Sequence, residues 1–211
     1  MIEYIGLSGF ARSGKDSAAD YISLKYGHQK VSFSTPMKEA LVRLNPLIRI
    51  VDPMDSDTMG GSTLAEAVDV FGWEDLKQVS PDVRGYIQRM GPEVGRQMFG
   101  NDVWVNRTFD EIDGERLVVF ADVRFQNEIA YIQKHGGYVV RVKRGDEPDW
   151  YKIAEEANAG FQKAKNTMRD LGIHQSEWDW IGSKFDAEIH NNGTLDDLGK
   201  SVESLLRNLR K

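Results

Sequence analysis

Residues 9–17, Gly-Phe-Ala-Arg-Ser-Gly-Lys-Asp-Ser, constrain the fold of this chain more than any other stretch. They follow the run Ile2-Glu3-Tyr4-Ile5-Gly6-Leu7-Ser8 and lead into a helical pattern with Ala18, Ala19 and Ile22 on one face. A strand, a glycine-rich turn and a helix, in that order, form the context in which Gly-x4-Gly-Lys cradles phosphate. Glycines let the backbone approach an anion, successive N–H groups converge on it, and the helix N-terminus adds positive potential. Lys15 is placed to reach the β and γ oxygens of a bound nucleotide, and Arg12 projects from the same loop.

The rest of the chain continues this beginning. Short apolar runs alternate with helical stretches, the pattern of βαβ units, which predicts an α/β fold. Five strands are expected, at Glu3–Leu7, Lys30–Phe33, Leu117–Ala121, Tyr138–Val142 and Ala187–His190. The first helix should run from about Lys15 to Lys25 and stop at Gly27. Thr35-Pro36 reads as a cap and first-turn proline for a helix through Leu44. Gln126 to His135, closed by Gly136-Gly137, is a further helix, and the last starts near Thr194. Asn45 to Ser62 has no clear period and reads as a loop or mobile element. Arg144 to Gly182 is long and charged, with a helical piece at Ala154–Arg169. Both stretches are either surface excursions or functional insertions.

The 211 residues suit one domain with insertions better than two full domains. The chain has no cysteine, which excludes disulfides and Cys-ligated zinc. It shows no long apolar run and no signal-peptide pattern, so a cytoplasmic protein without a membrane partner is expected. A net charge of −6 argues against a broad nucleic-acid footprint but leaves room for a local basic pocket for small anions.

Asp16 stands where such loops usually carry the Ser or Thr that ligates magnesium. A carboxylate is a hard oxygen ligand that can hold Mg²⁺ directly or through water, with the Ser17 hydroxyl beside it. The alternative is a bland one, in which Asp16 only complements the dipole of the helix N-terminus.

The stretch LSGFARSGKDSAADYI, with Gly-Lys-Asp in its loop, resembles the bacteriophage deoxynucleoside monophosphate kinases. STPMKEAL at 34–41, VRGYIQRMGPEVGRQMFGNDVWV at 83–105, VVFADVRFQNEI at 118–129, HQSEW at 174–178 and AEIHNNGTLDDL at 187–198 extend the resemblance in order. Only about 45–80 and 145–172 fall outside it. The loop also resembles that of animal-type phosphomevalonate kinase, and dephospho-coenzyme A kinase shares the general fold, so both are alternatives. A P-loop ATPase module is a more distant one.

The resemblance implies a P-loop kinase fold: a five-stranded parallel sheet flanked by helices, with an acceptor-binding insertion at about 45–105 and a lid at about 145–178. It further implies a single nucleotide kinase domain over 1–211. The expected activity is transfer of the ATP γ-phosphate, with Mg²⁺, onto a deoxynucleoside 5′-monophosphate. Relatives are dimeric, so a homodimer is expected, in host cytoplasm if the chain is phage-encoded.

On the donor side the resemblance assigns Arg12, Ser13, Gly14, Lys15, Asp16, Ser17 and Asn192, with Asp16 and Ser17 at the metal. On the acceptor side it assigns Met37, Lys38, Arg84, Gln88, Gly91, Trp104, Asp122, Arg124, Phe125 and Glu128. Lys15, Arg12, Arg124 and Asp122 are the expected catalytic group. Arg84 and Gln88 are four apart and share a helix face, and an arginine fork matches a monophosphate. Gly91-Pro92 would let the chain pass close beneath a base. Trp104 is either a core residue or a platform for the acceptor's base, and Lys38 either grips phosphate or is solvated. Glu128 could hold the Arg124 guanidinium or a sugar hydroxyl. Asn191-Asn192-Gly193-Thr194 is a turn and helix cap that could also rest the adenine. His174 and Glu177, in the block that follows the lid, read as a lid hinge or a nucleotide contact rather than as catalytic groups, and lid cations such as Lys163, Lys165 and Arg169 either close over phosphate or form a solvated helix face.

Overall fold

A computed structural model describes residues 3–51, 58–112 and 117–209. The chain divides into two compact units, one of Met1–Ser32 with Ile112–Lys211 and one of Phe33–Glu111.

The first unit is built on a five-stranded sheet. Its strands are β1 (Tyr4–Ser8), β2 (Gln29–Val31), β5 (Val118–Val123), β6 (Tyr138–Lys143) and β7 (Ala187–His190), in the spatial order β2-β5-β1-β6-β7. Every neighbouring pair is parallel. In β1 the side chains alternate. Ile5 and Leu7 pack with Ala18, Ala19 and Ile22 of α1 (Lys15–Tyr26) and with Leu198, Val202 and Leu206 of α10 (Leu195–Asn208). Gly6 faces the other side, where an added Cβ would lie 2.8 Å from Ile132 of α7 (Gln126–Lys134). Residues Val118–Ala121 of β5 are all buried, as expected of an inner strand covered on both faces. The helices stop and start where local chemistry directs. Gly27 ends α1 at φ 74°, and Thr194 with Asp197 forms a reciprocal capping box for α10. α8 (Tyr151–Asn158) and α9 (Gln162–Asp170) follow β6, with a 3-10 turn at Gln175–Glu177 before β7.

The second unit begins with α2 (Thr35–Leu44). An antiparallel pair follows, β3 (Leu47–Val51) and β4 (Thr58–Thr63). Next come α3 (Leu64–Val79), α4 (Pro81–Arg89), a π-helix over Met90–Arg96, the single turn α5 (Gln97–Phe99) and α6 (Val103–Glu111). Its core gathers Leu41, Ile48, Ile50, Leu64, Ala67, Leu76 and Val83. A left-handed residue, Gly72 at φ 67°, breaks α3 into two helical pieces.

All five expected strands are present and all belong to one parallel sheet, giving the α/β architecture read from the sequence. Three local readings are corrected. The stretch 45–62 is not a loop: β3 and β4 pair through it, although its middle, 52–57, lies outside the described residues. β4, Thr-Met-Gly-Gly-Ser-Thr, has almost no apolar alternation to mark a strand, whereas β3, Leu-Ile-Arg-Ile-Val, alternates over five residues, with Ile48 and Ile50 buried. The helix expected at Ala154–Arg169 is two helices, parted at Ala159-Gly160-Phe161, where Gly160 takes φ 101°. The strand expected at Lys30–Phe33 runs instead over Gln29–Val31, and Phe33 begins the turn into α2. The lead-in Met1-Ile2 lies outside the described residues.

Candidate active site

The phosphate loop occupies the carboxyl end of β1, the edge at which open α/β sheets bind ligands. Its shape depends on two glycines. Gly9 sits at φ 141°, where an added Cβ would strike the Val142 carbonyl oxygen. Gly14, at φ 97°, forms the N-cap of α1, and a Cβ there would strike the Asn191 amide. Arg12 is also left-handed, at φ 63°, and its side chain is exposed. No side chain caps the N-terminus of α1, so its first N–H groups are not consumed by a cap. Asn191 braces the loop from the far end of the chain: its Nδ2 donates to the Ser13 carbonyl at 2.8 Å, in a buried contact.

Lys15 is a buried lysine, 4% exposed, at the first position of α1. Its Nζ lies 3.6 Å from Asp122 Oδ1 and 3.9 Å from Asp16 Oδ2. Asp122 belongs to β5, one residue before its end, rather than to the loop beyond it. Arg124 Nε donates to both Asp122 oxygens, at 2.8 and 2.9 Å. Its Nη1 donates to Glu177 at 2.6 Å. Burial works against the charged Arg124, but the charges of Asp122 and Glu177 outweigh it and hold the guanidinium above its ordinary pKa. The chain Lys15–Asp122–Arg124–Glu177 thus alternates in sign, two cations against two carboxylates.

Glu128, 3% exposed, holds the turn itself. Its Oε2 accepts the backbone N–H of Arg124 at 2.7 Å and of Phe125 at 3.1 Å, so it fixes the main chain beneath Arg124. The two metal candidates differ from Lys15 in exposure: Asp16 has 69% of its side chain exposed, and Ser17 is exposed too. Asn192 Oδ1 accepts the N–H of Gly145.

The second unit holds the remaining candidates. Arg84 and Gln88 are both exposed on α4, whose buried side carries Val83, and neither side chain bonds to another described residue. Lys38 is half-buried, its ammonium 5.5 Å from the centre of the Trp73 ring. Trp104 is half-buried as well, and its indole N–H donates to the Gly91 carbonyl at 3.0 Å. The ring lies on Gly95, where a Cβ would collide with it. Gly91 is buried against Met37, with 3.2 Å from an added Cβ to the sulfur. Glycine at 91 and 95 therefore lets the π-helix meet Met37 and Trp104.

Glu177 and Asn191 are the residues whose place the sequence did not disclose. Both stand in short polar stretches, and their partners are 53 and 178 residues away. No local spacing could reveal either contact.

No family model matches this chain. It overlaps loosely with solved kinase structures: shikimate kinase of Aquifex aeolicus (12% identity, 97% of this chain and 96% of that one, TM-score 0.41) and dephospho-CoA kinase of Campylobacter jejuni (13%, 98% and 97%, TM-score 0.39). Overlap at that level carries no weight; the fold rests on the strand order itself. A closer likeness comes from sequence. Over 148 residues, 66% of this chain and 73% of the relative, it is 32% identical to a protein of Acanthamoeba polyphaga mimivirus named "Putative deoxynucleotide monophosphate kinase". With a phosphate loop at the carboxyl end of β1 and that relative, the chain belongs to the deoxynucleotide monophosphate kinase family.

Proposed function

We propose that this kinase transfers the γ-phosphate of ATP to a deoxynucleoside 5′-monophosphate, giving the diphosphate. The observation that carries the reading is the continuous run from the phosphate loop to β5, with Lys15 3.6 Å from Asp122 and Asp122 bonded to Arg124. Phosphoryl transfer demands positioning and charge neutralisation more than covalent chemistry. Lys15 holds the β and γ oxygens together with the loop N–H groups. Arg12, exposed on the loop, and Arg124, through Nη2, balance charge on the transferring group. Asp122 keeps both Lys15 and Arg124 in place and faces the acceptor phosphate. Ser13, Gly14, Asp16, Ser17 and Asn192 complete the donor side.

Magnesium fits the donor set. Mg²⁺ in such enzymes is held by one or two protein oxygens plus substrate phosphates. The exposed carboxylate of Asp16, next to Lys15 and followed by Ser17, offers such oxygens at the helix N-terminus. When bound there, Mg²⁺ would neutralise phosphate charge.

In the acceptor role of the second unit, Arg84 and Lys38 hold the monophosphate while Trp104 offers a flat face to the base and Met37, Gln88 and Gly91 line its surroundings; in the first unit the resemblance gives Phe125 an acceptor role as well. Aromatic stacking of a base is worth roughly 1–3 kcal/mol. Glu128, in its acceptor-side role, grips the 124–125 backbone and fixes the main chain that carries Arg124.

The deciding experiment supplies ATP and Mg²⁺ and follows ADP while single acceptors are added. The set comprises dGMP, dTMP, dCMP, dAMP, the ribonucleotides, phosphomevalonate and dephospho-coenzyme A. Acceptor-dependent turnover with one or more deoxynucleotides is expected. Turnover of phosphomevalonate or dephospho-coenzyme A with silence on every nucleotide overturns the substrate, and ADP release indifferent to all acceptors makes the protein an ATPase.

A further inference from the structure

The stretch His174–Asp179 is tied down far more firmly than a chain segment between a lid and a strand needs to be. Asn158 of α8 donates through one amide nitrogen to the carbonyls of Trp178, Asp179 and Ile181, at 2.9, 3.1 and 2.8 Å. Asp179 accepts the N–H of Gln126, the first residue of α7, at 3.0 Å, and its other oxygen accepts from Gln175 at 2.7 Å. The His174 ring accepts the Ser176 N–H at the N-terminus of the 3-10 turn. Burial, joined by the charge of Arg124 and opposed by Glu177, holds the His174 pKa below its usual value and so favours the neutral ring that can accept. Every one of these bonds fixes the backbone that carries Glu177.

Glu177 then does one thing among the described residues: it accepts from Arg124 Nη1 at 2.6 Å. Asp122 takes Nε with both oxygens, so the two carboxylates grip two edges of the planar guanidinium and leave Nη2 with no described protein partner. A guanidinium held at two edges has lost most of its rotational freedom before any ligand arrives. A pre-ordered fork does not spend that freedom when it meets phosphate. A single carboxylate at Nε would leave the group free to swing about its own side chain.

We propose that Glu177 is a positioning residue for phosphoryl transfer: fixed by Asn158, Asp179 and His174, it aims the free edge of Arg124 at the reacting phosphates. The kinetic part of this inference rests on the kinase reading above; the mount itself does not. By this account the segment after the lid works on Arg124 through one ion pair and touches no substrate.

The test uses Glu177→Ala, Glu177→Gln, Arg124→Ala and the double variant Arg124→Ala/Glu177→Ala in the full chain. Truncating one partner of a hydrogen-bonded charge costs about 10- to 100-fold, and Glu177→Ala should lower kcat/KM by that much. Glu177→Gln, which keeps an oxygen acceptor, should recover part of it. In the Arg124→Ala background the Glu177 substitution should have no further effect, because the pair acts as a unit. A role in stability alone would lower activity and melting temperature equally in both backgrounds, and that result overturns the proposal. A second reading needs no substrate: the Arg124 side-chain nitrogens, followed by NMR and assigned through Arg124→Ala, should show hindered rotation in the native protein and averaging in Glu177→Ala. Unchanged rotation overturns the proposal even if deoxynucleotides are good acceptors. Hindered rotation lost on substitution upholds it even if the wild-type protein ignores every deoxynucleotide, in which case only the substrate reading falls.

Discussion

The two compact units prepare their chemistry in opposite ways. In the first, four charged groups are linked to one another: Lys15 is buried, Asp122 bridges it to Arg124, Glu177 holds the guanidinium from the side, and Glu128 fixes the backbone of Arg124. In the second, Arg84 and Gln88 stand exposed and without described partners, while Lys38 rests against Trp73 and Trp104 against the π-helix. The difference has a physical logic. On the proposed function, the first unit's groups meet the transferring phosphoryl, whose charge is the same in every turnover, so they can be pre-ordered at low reorganisation cost. The second unit's groups, in their proposed role at exchangeable acceptors, would gain from being solvated until one arrives, because a buried unpaired arginine would be costly to keep.

The contrast predicts graded sensitivity to substitution. Lys15→Met should be the most damaging, lowering kcat by on the order of 10²–10³. Circular dichroism and melting temperature should stay close to wild type, since Met fills the buried stem. Near-native turnover in a folded Lys15→Met protein would break the comparison at its donor end.

Arg84→Ala should be milder, raising the acceptor KM by about 10- to 100-fold with little change in the KM for ATP. The loss should be the same for every base, because a phosphate fork does not read bases. Trp104→Phe sharpens this: it keeps a flat ring but forfeits the bond to the Gly91 carbonyl, so it should weaken deoxynucleotide use less than Trp104→Ala. If Arg84→Ala changed the donor KM and spared the acceptor, the division of labour between the units would be wrong.

The smallest effect belongs to Asp16, whose carboxylate is exposed at the start of α1 in the first unit. If it helps to place magnesium, Asp16→Asn should raise the Mg²⁺ concentration for half-maximal rate a few-fold, and Asp16→Ser should restore part of it. As a dipole partner only, it would contribute about 0.3–1 kcal/mol to stability and leave the magnesium titration unchanged.

The order and type of elements were legible wherever the signal was local. Gly9, Gly14 and Lys15 announce the loop, Ala18 and Ile22 the helix behind it, and Gly27 its end, because turn geometry and helical period act within a few residues. The apolar runs at β5 and β6 announced strands buried on both faces. β4 did not announce itself, because a strand of Thr, Met, Gly and Ser in a two-stranded pair is defined by its partner's hydrogen bonds rather than by its own side chains; β3, Leu-Ile-Arg-Ile-Val, does carry an apolar alternation, with Ile48 and Ile50 buried, but too short a one to stand out beside that polar partner.

By itself, then, the sequence determined a phosphate-binding βα unit, a parallel α/β sheet around it, and the residue types available to hold a nucleotide. Tertiary structure alone decided which of those residues act together. Lys15 meets Asp122, Arg124 meets Glu177 across 53 residues, and Asn191 meets the loop carbonyl of Ser13 across 178. Charge and hydrogen-bond partners are chosen by distance in space, and parallel strands with crossovers between them bring together chain positions that no sequence spacing relates.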